Sequence, residues 1–467
     1  MSETPDTAPL SHQADLAIET VFKAQRETAI ALRTSTAKTR IGKLQRLEAA
    51  VLANREAIFR ALAADLHRFE AETELLEMLP VISGIRHARR HLASWMKPAK
   101  ILPTLTMIGT KARIRHEPKG VSLIIAPWNY PVSLLLGPLT SAIAAGCPAI
   151  VKPSEMSPAC SAVMAKLIRE TFDWQEIAAF EGDAAVSSAL LDLAFDHIFF
   201  TGSPAIGKVV MTAAAKHLAA VTLELGGKSP VIVDESADIA KAAKSIAWGK
   251  FTNCGQTCIA PDYAFVHESR MPQLIEAMKE SIAKMYSDPA RSPDYCRIIN
   301  GKHFARISHL IEDAAEHGAT ILAGGERDEA QKFIAPTLLT GAGEDAAIMR
   351  EEIFGPVLPV LSYQDLAEPI AAINARPKPL ALYVYSKNFA RVERMLRETS
   401  AGGSCVNASN IQFSHDNLPF GGIGNSGLGN AHGFYGFRAF SHERCFRPTR
   451  EALDRGTLHL WSRASPA

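Results

Sequence analysis

From Gly120 to Val151 the chain runs for thirty-two residues without a charged side chain. A membrane-spanning helix needs only about 20 apolar residues, so length alone would admit one. The punctuation does not. Pro127, Pro131, Pro138 and Pro148, with Gly137 and Gly146, cut the run into pieces too short to span a bilayer. Those pieces read as a buried strand over 121–126, a loop over 127–131, a helix over 132–145 and a second buried strand over 149–151. Strands apolar on both faces belong to parallel sheets covered by helices. Short β-rich runs at 197–200 and 221–224, separated by stretches rich in Ala and Leu, continue the pattern and predict a doubly wound α/β domain. A second α/β stretch follows from 229 to about 400, and 401–430 reads as loop. Ahead of them, 15–96 is helical, with Ile41, Leu44, Leu47, Val51, Ile58 and Leu62 tracing one apolar face.

Charge excludes some functions. The 467 residues hold 50 Lys and Arg against 49 Asp and Glu, a net charge of +1, which argues against a dedicated nucleic-acid binder or a polybasic membrane-surface protein. With 47% hydrophobic residues, a chain this long buries two or three cores, and its bulk is not disordered. One region departs from neutrality: 86–119 holds nine Lys and Arg against Glu117 alone. A solvated helix end and an edge strand account for it better than an anion site does. The first twelve residues, with Glu3, Asp6, Pro5 and Pro9, read as a frayed tail and not a signal peptide. The charged stretch 449–467 holds no tail anchor. Seven cysteines, odd in number and irregularly spaced, read as reduced thiols of a cytoplasmic protein, and no metal-ligand cluster stands out among fifteen histidines.

Two glycine patterns invite a nucleotide-binding reading. Gly422-Ile-Gly-Asn-Ser-Gly427 satisfies the dinucleotide fingerprint as a string, but seven glycines between 421 and 436 are incompatible with the helix that should follow. The run Phe199-Phe-Thr-Gly-Ser-Pro-Ala-Ile-Gly207 is better placed, a strand meeting Gly202 and Ser203 before a helix over 206–220. Pro204 suits a first helical turn, where N–H groups face outward toward an anionic diphosphate.

The sharpest chemical feature is Phe251-Thr-Asn-Cys-Gly-Gln-Thr-Cys258. Its polar, turn-prone surroundings are unlike a core strand, and no second Cys/His pair follows at metal-site spacing. A nucleophilic thiol needs a base or an electropositive turn. The candidate base is Glu224, a carboxylate at the end of an apolar strand in Thr222-Leu-Glu-Leu-Gly-Gly-Lys-Ser-Pro230. A free charge there must be paired, protonated or functional. Lys228 reads as a solvated or locally capping lysine, and Cys254 as structural.

Over about residues 15–445 these blocks resemble the aldehyde dehydrogenases. The segment 223–230 is similar to that family's general-base motif and 251–258 to its nucleophile motif, at the usual separation. Pro127-Trp-Asn-Tyr-Pro131, Lys152-Pro-Ser-Glu155, Glu351-Glu-Ile-Phe-Gly-Pro356 and Pro419-Phe-Gly-Gly-Ile-Gly-Asn-Ser-Gly427 supply four more blocks in order. Met211–Leu218, Ala260–Tyr263 and Ala439–His442 resemble the class 3 branch, which includes the coniferyl aldehyde dehydrogenases.

The resemblance implies a Rossmann-like NAD(P)-binding domain (1–100, 117–225 and 403–430), an α/β catalytic domain (226–402), bridging or oligomerisation strands (101–116 and 431–449) and a tail (450–467). It implies oxidation of an apolar aromatic or aliphatic aldehyde through a thioester on Cys258, with Asn129 as oxyanion donor and Glu224 activating the hydrolytic water. Lys152 and Glu155 match residues that hold the adenine ribose. Trp128, Gly202, Ser203 and Gly207 lie toward the diphosphate, and Glu352 and Phe354 toward the nicotinamide. Tyr130 and Phe420 are candidates for the substrate tunnel. Glu155 favours NAD, with NADP open, and the short N-terminus favours a homodimer. Two rivals stand beside this reading: a coenzyme-A-acylating dehydrogenase and a non-catalytic relative.

Overall fold

The computed structural model describes residues 10–446 apart from 109. The expected tail at 450–467 lies outside the described residues, as does most of the N-terminal one, although Leu10–Leu32 is already helical. The uncharged run folds as its punctuation predicts, into the strand Ser122–Ile125, the helix Ser133–Ala145 and the strand Ala149–Lys152. Pro138 lies inside the helix, as the expected span 132–145 requires.

Side-chain alternation explains why these strands are apolar throughout. Successive residues point to opposite faces. Ile124, Ala149, Val151 and Phe199 therefore join the core beneath the helices of 37–95, while Leu123, Ile125, Ile150, Ile198 and Phe200 join a second core on the other face. The sheet has six strands, in the order Gly427–Leu428, Ala220–Glu224, His197–Thr201, Ser122–Ile125, Ala149–Lys152 and Ile177–Ala179. All pair in parallel except the first.

A second sheet has seven strands: Thr320–Ala323, Thr337–Thr340, Val357–Tyr363, Tyr263–His267, Pro230–Val233, Ala381–Tyr385 and Gly403–Val406. Only Thr320–Ala323 runs antiparallel to its neighbour. The boundary expected at 403 is not where the sheets divide. Gly403–Val406 hydrogen-bonds along Ala381–Tyr385 and edges the seven-stranded sheet, so 401–430 is not all loop, and of its strands only Gly427–Leu428 joins the six-stranded sheet. A third sheet of three antiparallel strands, Ala99–Ile101, Ala112–Pro118 and Ser441–Phe446, brings together segments near those expected to bridge.

The N-terminal apolar face divides between two helices, Ala37–Ala53 and Arg55–Leu66, with Leu44, Leu47, Val51, Ile58 and Leu62 all buried. Thr36 caps the first by accepting from the Thr39 N–H. In the basic region, Arg86 and Arg89 at the helix Leu79–Trp95 pair with Glu48. No helix among the described residues is long and apolar enough to cross a membrane.

Candidate active site

A doubly wound sheet delivers the loops after its parallel strands to one edge, and its crevice opens where the strand order reverses. Here that point lies between Ser122–Ile125 and His197–Thr201. Trp128 and Asn129 lie in the loop after the first strand, and Gly202 and Ser203 in the turn after the second. Lys152 ends Ala149–Lys152, and Glu224 ends Ala220–Glu224. Cys258 reaches this edge from the loop between the helix Ile239–Phe251 and the strand Tyr263–His267.

That loop takes an unusual path. Asn253 (φ 52°), Cys254 (φ 54°) and Gly255 (φ 72°) are three successive left-handed residues. The conformation costs a non-glycine residue about 1–2 kcal/mol, so the surroundings must hold it. A Cβ at Gly255 would stand 2.2 Å from the Gly355 carbonyl oxygen, so a side chain is excluded there on two grounds. Hydrogen bonds fix the rest. The Asn253 N–H donates to Glu72 at 2.8 Å, the Gln256 amide donates to the Asn253 and Arg297 carbonyls, and the Ile299 N–H donates back to Gln256 Oε1 at 3.0 Å. Asn129 Nδ2 and Asn253 Nδ2 both donate to the Gln256 carbonyl, at 2.9 and 3.0 Å. The loop after the first strand is thereby tied to the loop that carries the thiol.

Cys258 is half-buried, whereas Cys254 is fully buried with its Sγ on the Tyr295 hydroxyl at 3.4 Å. Burial pushes the Cys258 thiol up to about 12, with further contributions from the charges of Glu352 and Glu224, so both carboxylates act on the sulfur. Glu224 is 5% exposed, and neither of its oxygens has a hydrogen-bond partner. Burial alone holds its carboxyl well above the usual range. Glu352 is raised to about 8 by burial and by Asp262, and the Gly227 N–H donates to it. A Cβ at Gly226 would lie 2.2 Å from Glu352 Oε2, so the glycine pair after Glu224 cradles this second carboxylate.

The remaining predicted residues take definite places. Lys152 is buried and ion-paired with the half-exposed Glu155. The Ser203 hydroxyl caps the helix Pro204–His217 by accepting from the Ile206 N–H at 3.4 Å, and Gly207 lies in that helix against Leu225. Trp128 packs edge-on against Phe354, a residue at φ 47°, and against His303. The Tyr130 hydroxyl meets Thr257 Oγ1 at 2.8 Å, and Phe420 stacks on His432. A cleft of about 710 Å³ between the two sheet domains is lined by Ser203, Pro204, Gly227, Lys228, Glu352 and Asn425. The N-terminus of the helix Pro204–His217 that lines it suits an anionic dinucleotide.

One expectation is corrected. Lys228 is not solvated: it is largely buried, ion-paired with Asp262, and donates to the Ile348 and Glu351 carbonyls at 2.8 Å each. It ties the Glu352 loop to the strand after the glycine pair. The decoy string 422–427 forms no nucleotide turn, since Gly427–Leu428 instead backs the strand that carries Glu224. Sequence reasoning missed Arg68, Glu72 and Glu77, and read Asn253 and Gln256 only as polar turn residues; these five hold the two loops together. The one signal available was three charged residues, at 68, 72 and 77, within a helical scaffold otherwise read for its apolar face.

Residues 6–445 match the family model described as the aldehyde dehydrogenase family. Over 419 residues, covering 90% of each sequence, the chain is 44% identical to the 4,4'-diaponeurosporen-aldehyde dehydrogenase of Staphylococcus aureus. It is 42% identical to aldehyde dehydrogenase family 3 member A2 of Macaca fascicularis, over 90% of this chain and 86% of that one. Among solved structures, the substrate-bound state of Staphylococcus aureus AldH superposes with a TM-score of 0.89 at 43% identity, covering 93% of this chain and 94% of that one.

Proposed function

This chain belongs to the aldehyde dehydrogenase family, in its class 3-like branch, and from that premise we propose how its own residues oxidise an aldehyde and which aldehydes they admit. The enzyme is an NAD(P)+-dependent aldehyde dehydrogenase. One observation carries the mechanism: Glu224 is buried with both oxygens free of partners, yet its charge is felt by the Cys258 thiol. A carboxylate so placed has both oxygens free to accept from a water and is tuned to take its proton.

Cys258 gives up its proton to solvent and its thiolate sulfur attacks the aldehyde carbonyl carbon. The resulting oxyanion is met by the Asn129 side-chain amide and the Cys258 N–H, preorganised donors of a kind worth about 3 kcal/mol each in a transition state. Bound NAD(P)+ supplies the acceptor for the hydride that leaves the tetrahedral carbon. The product is a thioester on Cys258. Glu224 then takes a proton from water, whose oxygen attacks the thioester carbon; the carboxylic acid departs and the thiol is restored.

The segment 117–225 holds most of the cofactor, with Lys152 and Glu155 on the adenine ribose and Trp128, Gly202, Ser203 and Gly207 near the diphosphate, while Glu352 and Phe354 meet its nicotinamide end from 226–402. The segment 226–402 supplies the thiol. For the substrate we assign the cavity of about 450 Å³ lined by Leu76, Leu79, Trp248, Ile411, Phe413 and His432, with Phe420 stacked behind His432 and Tyr130 bonded to Thr257, the residue before Cys258. Such a lining suits an apolar aromatic or medium- to long-chain aliphatic aldehyde. The three-stranded sheet is the proposed contact of a homodimer, which sedimentation of the full chain tests.

The decisive experiment compares the native enzyme with Glu224→Gln on aliphatic, benzylic and cinnamyl aldehydes, using NAD and NADP. The variant should give a first-turnover burst of reduced nicotinamide and then stop. Full steady turnover would remove Glu224 as the base, and preference for NADP would overturn the assignment of Glu155.

A further inference from the structure

Arg68 belongs to no motif, follows the helix Arg55–Leu66 and is fully buried. Its guanidinium reaches both loops of the site. Nη2 donates to the Asn129 backbone carbonyl at 2.6 Å and to Asn253 Oδ1 at 2.5 Å, and Nη1 donates to Glu77 at 2.9 Å. Nε lies 3.7 Å from Glu72, and the guanidinium carbon lies 4.8 Å from the centre of the Tyr130 ring.

The two carboxylates do more than neutralise it. Glu72 accepts the Asn253 N–H, which opens the left-handed turn before the thiol, and Glu77 accepts the Ser133 N–H, which opens the helix after Asn129 and Tyr130. Asn253, oriented by Arg68 through its Oδ1, donates its amide to the Asn129 carbonyl at 3.0 Å. The Asn129 carbonyl is thus gripped by Arg68 and Asn253, while its side-chain amide is anchored on Gln256, two residues before Cys258.

We propose that Arg68 is the positioning residue of the oxyanion site: acting through Asn129 and Asn253, it fixes where the Asn129 amide stands relative to Cys258. A planar fork of fixed donors does this as a point charge cannot, because one nitrogen serves two acceptors on different loops while the next is held by a carboxylate. The inference rests on Asn129 being the oxyanion donor. A purely structural Arg68, a counter-ion for Glu72 and Glu77, would on removal lower stability and leave the kinetics of the folded fraction unchanged.

The test uses the full-length enzyme with Arg68→Lys, Asn129→Ala and the double variant. Active sites are counted by alkylation of Cys258, cofactor binding by nicotinamide fluorescence, and hydride transfer by single-turnover absorbance. Arg68→Lys keeps the buried charge and protects folding. It should slow single-turnover hydride transfer about ten- to a hundredfold per titrated site, the scale of a roughly 1 Å misplacement, with cofactor affinity unchanged. Asn129→Ala should then cost much less in the Arg68→Lys background than in the native enzyme. A native rate per titrated site in Arg68→Lys, or strictly multiplicative losses in the double variant, overturns the proposal. Asn129→Ala with native hydride transfer overturns instead the assignment on which it rests. If Arg68→Lys yields no folded enzyme, Asn253→Ala gives the same readout through the other arm of the network: slowed hydride transfer supports the proposal and a native rate refutes it.

Discussion

The Cys258 thiol is set against its own reactivity. Burial and two facing carboxylates raise it to about 12, so at neutral pH the resting sulfur is almost wholly protonated. Removing one negative charge should therefore make it more nucleophilic. Glu352 carries its charge above about pH 8, so Glu352→Gln should increase the rate of iodoacetamide alkylation of Cys258 several-fold at pH 9 and move its pH profile toward lower pH. An unchanged profile would mean that Glu352 does not act on the sulfur. Cys254 needs no such treatment: it is buried against Tyr295 and its thiol too is pushed up to about 12, mainly by burial. The earlier of the two cysteines in the motif is a packing residue, and the half-buried one is the proposed nucleophile.

At the scale of elements, the site is made by two loops that neither sheet could orient alone. The turn at 253–255 persists in a left-handed path because its polar groups are engaged from several directions, by Glu72, Gln256 and Arg68. Gly255 is its least replaceable member. Gly255→Ala would place a methyl group 2.2 Å from the Gly355 carbonyl at φ 72°. Thermal denaturation should show a destabilisation of about 2 kcal/mol or more, with alkylatable Cys258 lost in proportion. Native stability would mean the turn can take another path. How much of this was legible varies with the element. Strands 122–125, 149–152, 197–201 and 220–224 were readable within a residue or two because each carries an apolar run, on one face or both, bounded by Pro, Gly or a change of polarity. Gly403–Val406 was not, because an edge strand of alternating exposure carries no comparable apolar run.

For the whole molecule, burial of ionisable groups at the domain junction couples stability to pH. Glu224 and Glu352 bind protons more tightly folded than unfolded, Glu352 near 8 against an ordinary value of about 4.5. Between those pH values the folded state holds the extra proton, so stability is greatest below about 4.5 as far as this group is concerned and falls as pH rises toward 8. Lys250, fully buried and lowered to about 8 from 10.5, acts in the next window: there the unfolded chain binds the extra proton, and this contribution recovers as pH rises from about 8 to 10.5. Melting temperatures of the cofactor-free enzyme should therefore decline from pH 5.5 to 8. Glu352→Gln should flatten that slope, and an equal slope in the variant would show that Glu352 is not a source of it.

The division between what each level decides has a physical cause. Local sequence by itself determined the uncharged run, its proline punctuation and the switch-point turns, and through the resemblance of its motifs it pointed to Cys258, Glu224 and Asn129, because apolar periodicity, backbone restrictions and motif chemistry are written in residues close together in the chain. Only the tertiary structure decided that Lys228 is buried on Asp262, that Gly226 makes room for Glu352, and that Arg68 joins the loops of Asn129 and Asn253. Those partners lie 34, 126, 61 and 185 residues apart. A buried polar group must find its hydrogen bonds wherever the fold brings an acceptor, and that choice is made by packing and not by neighbours in sequence.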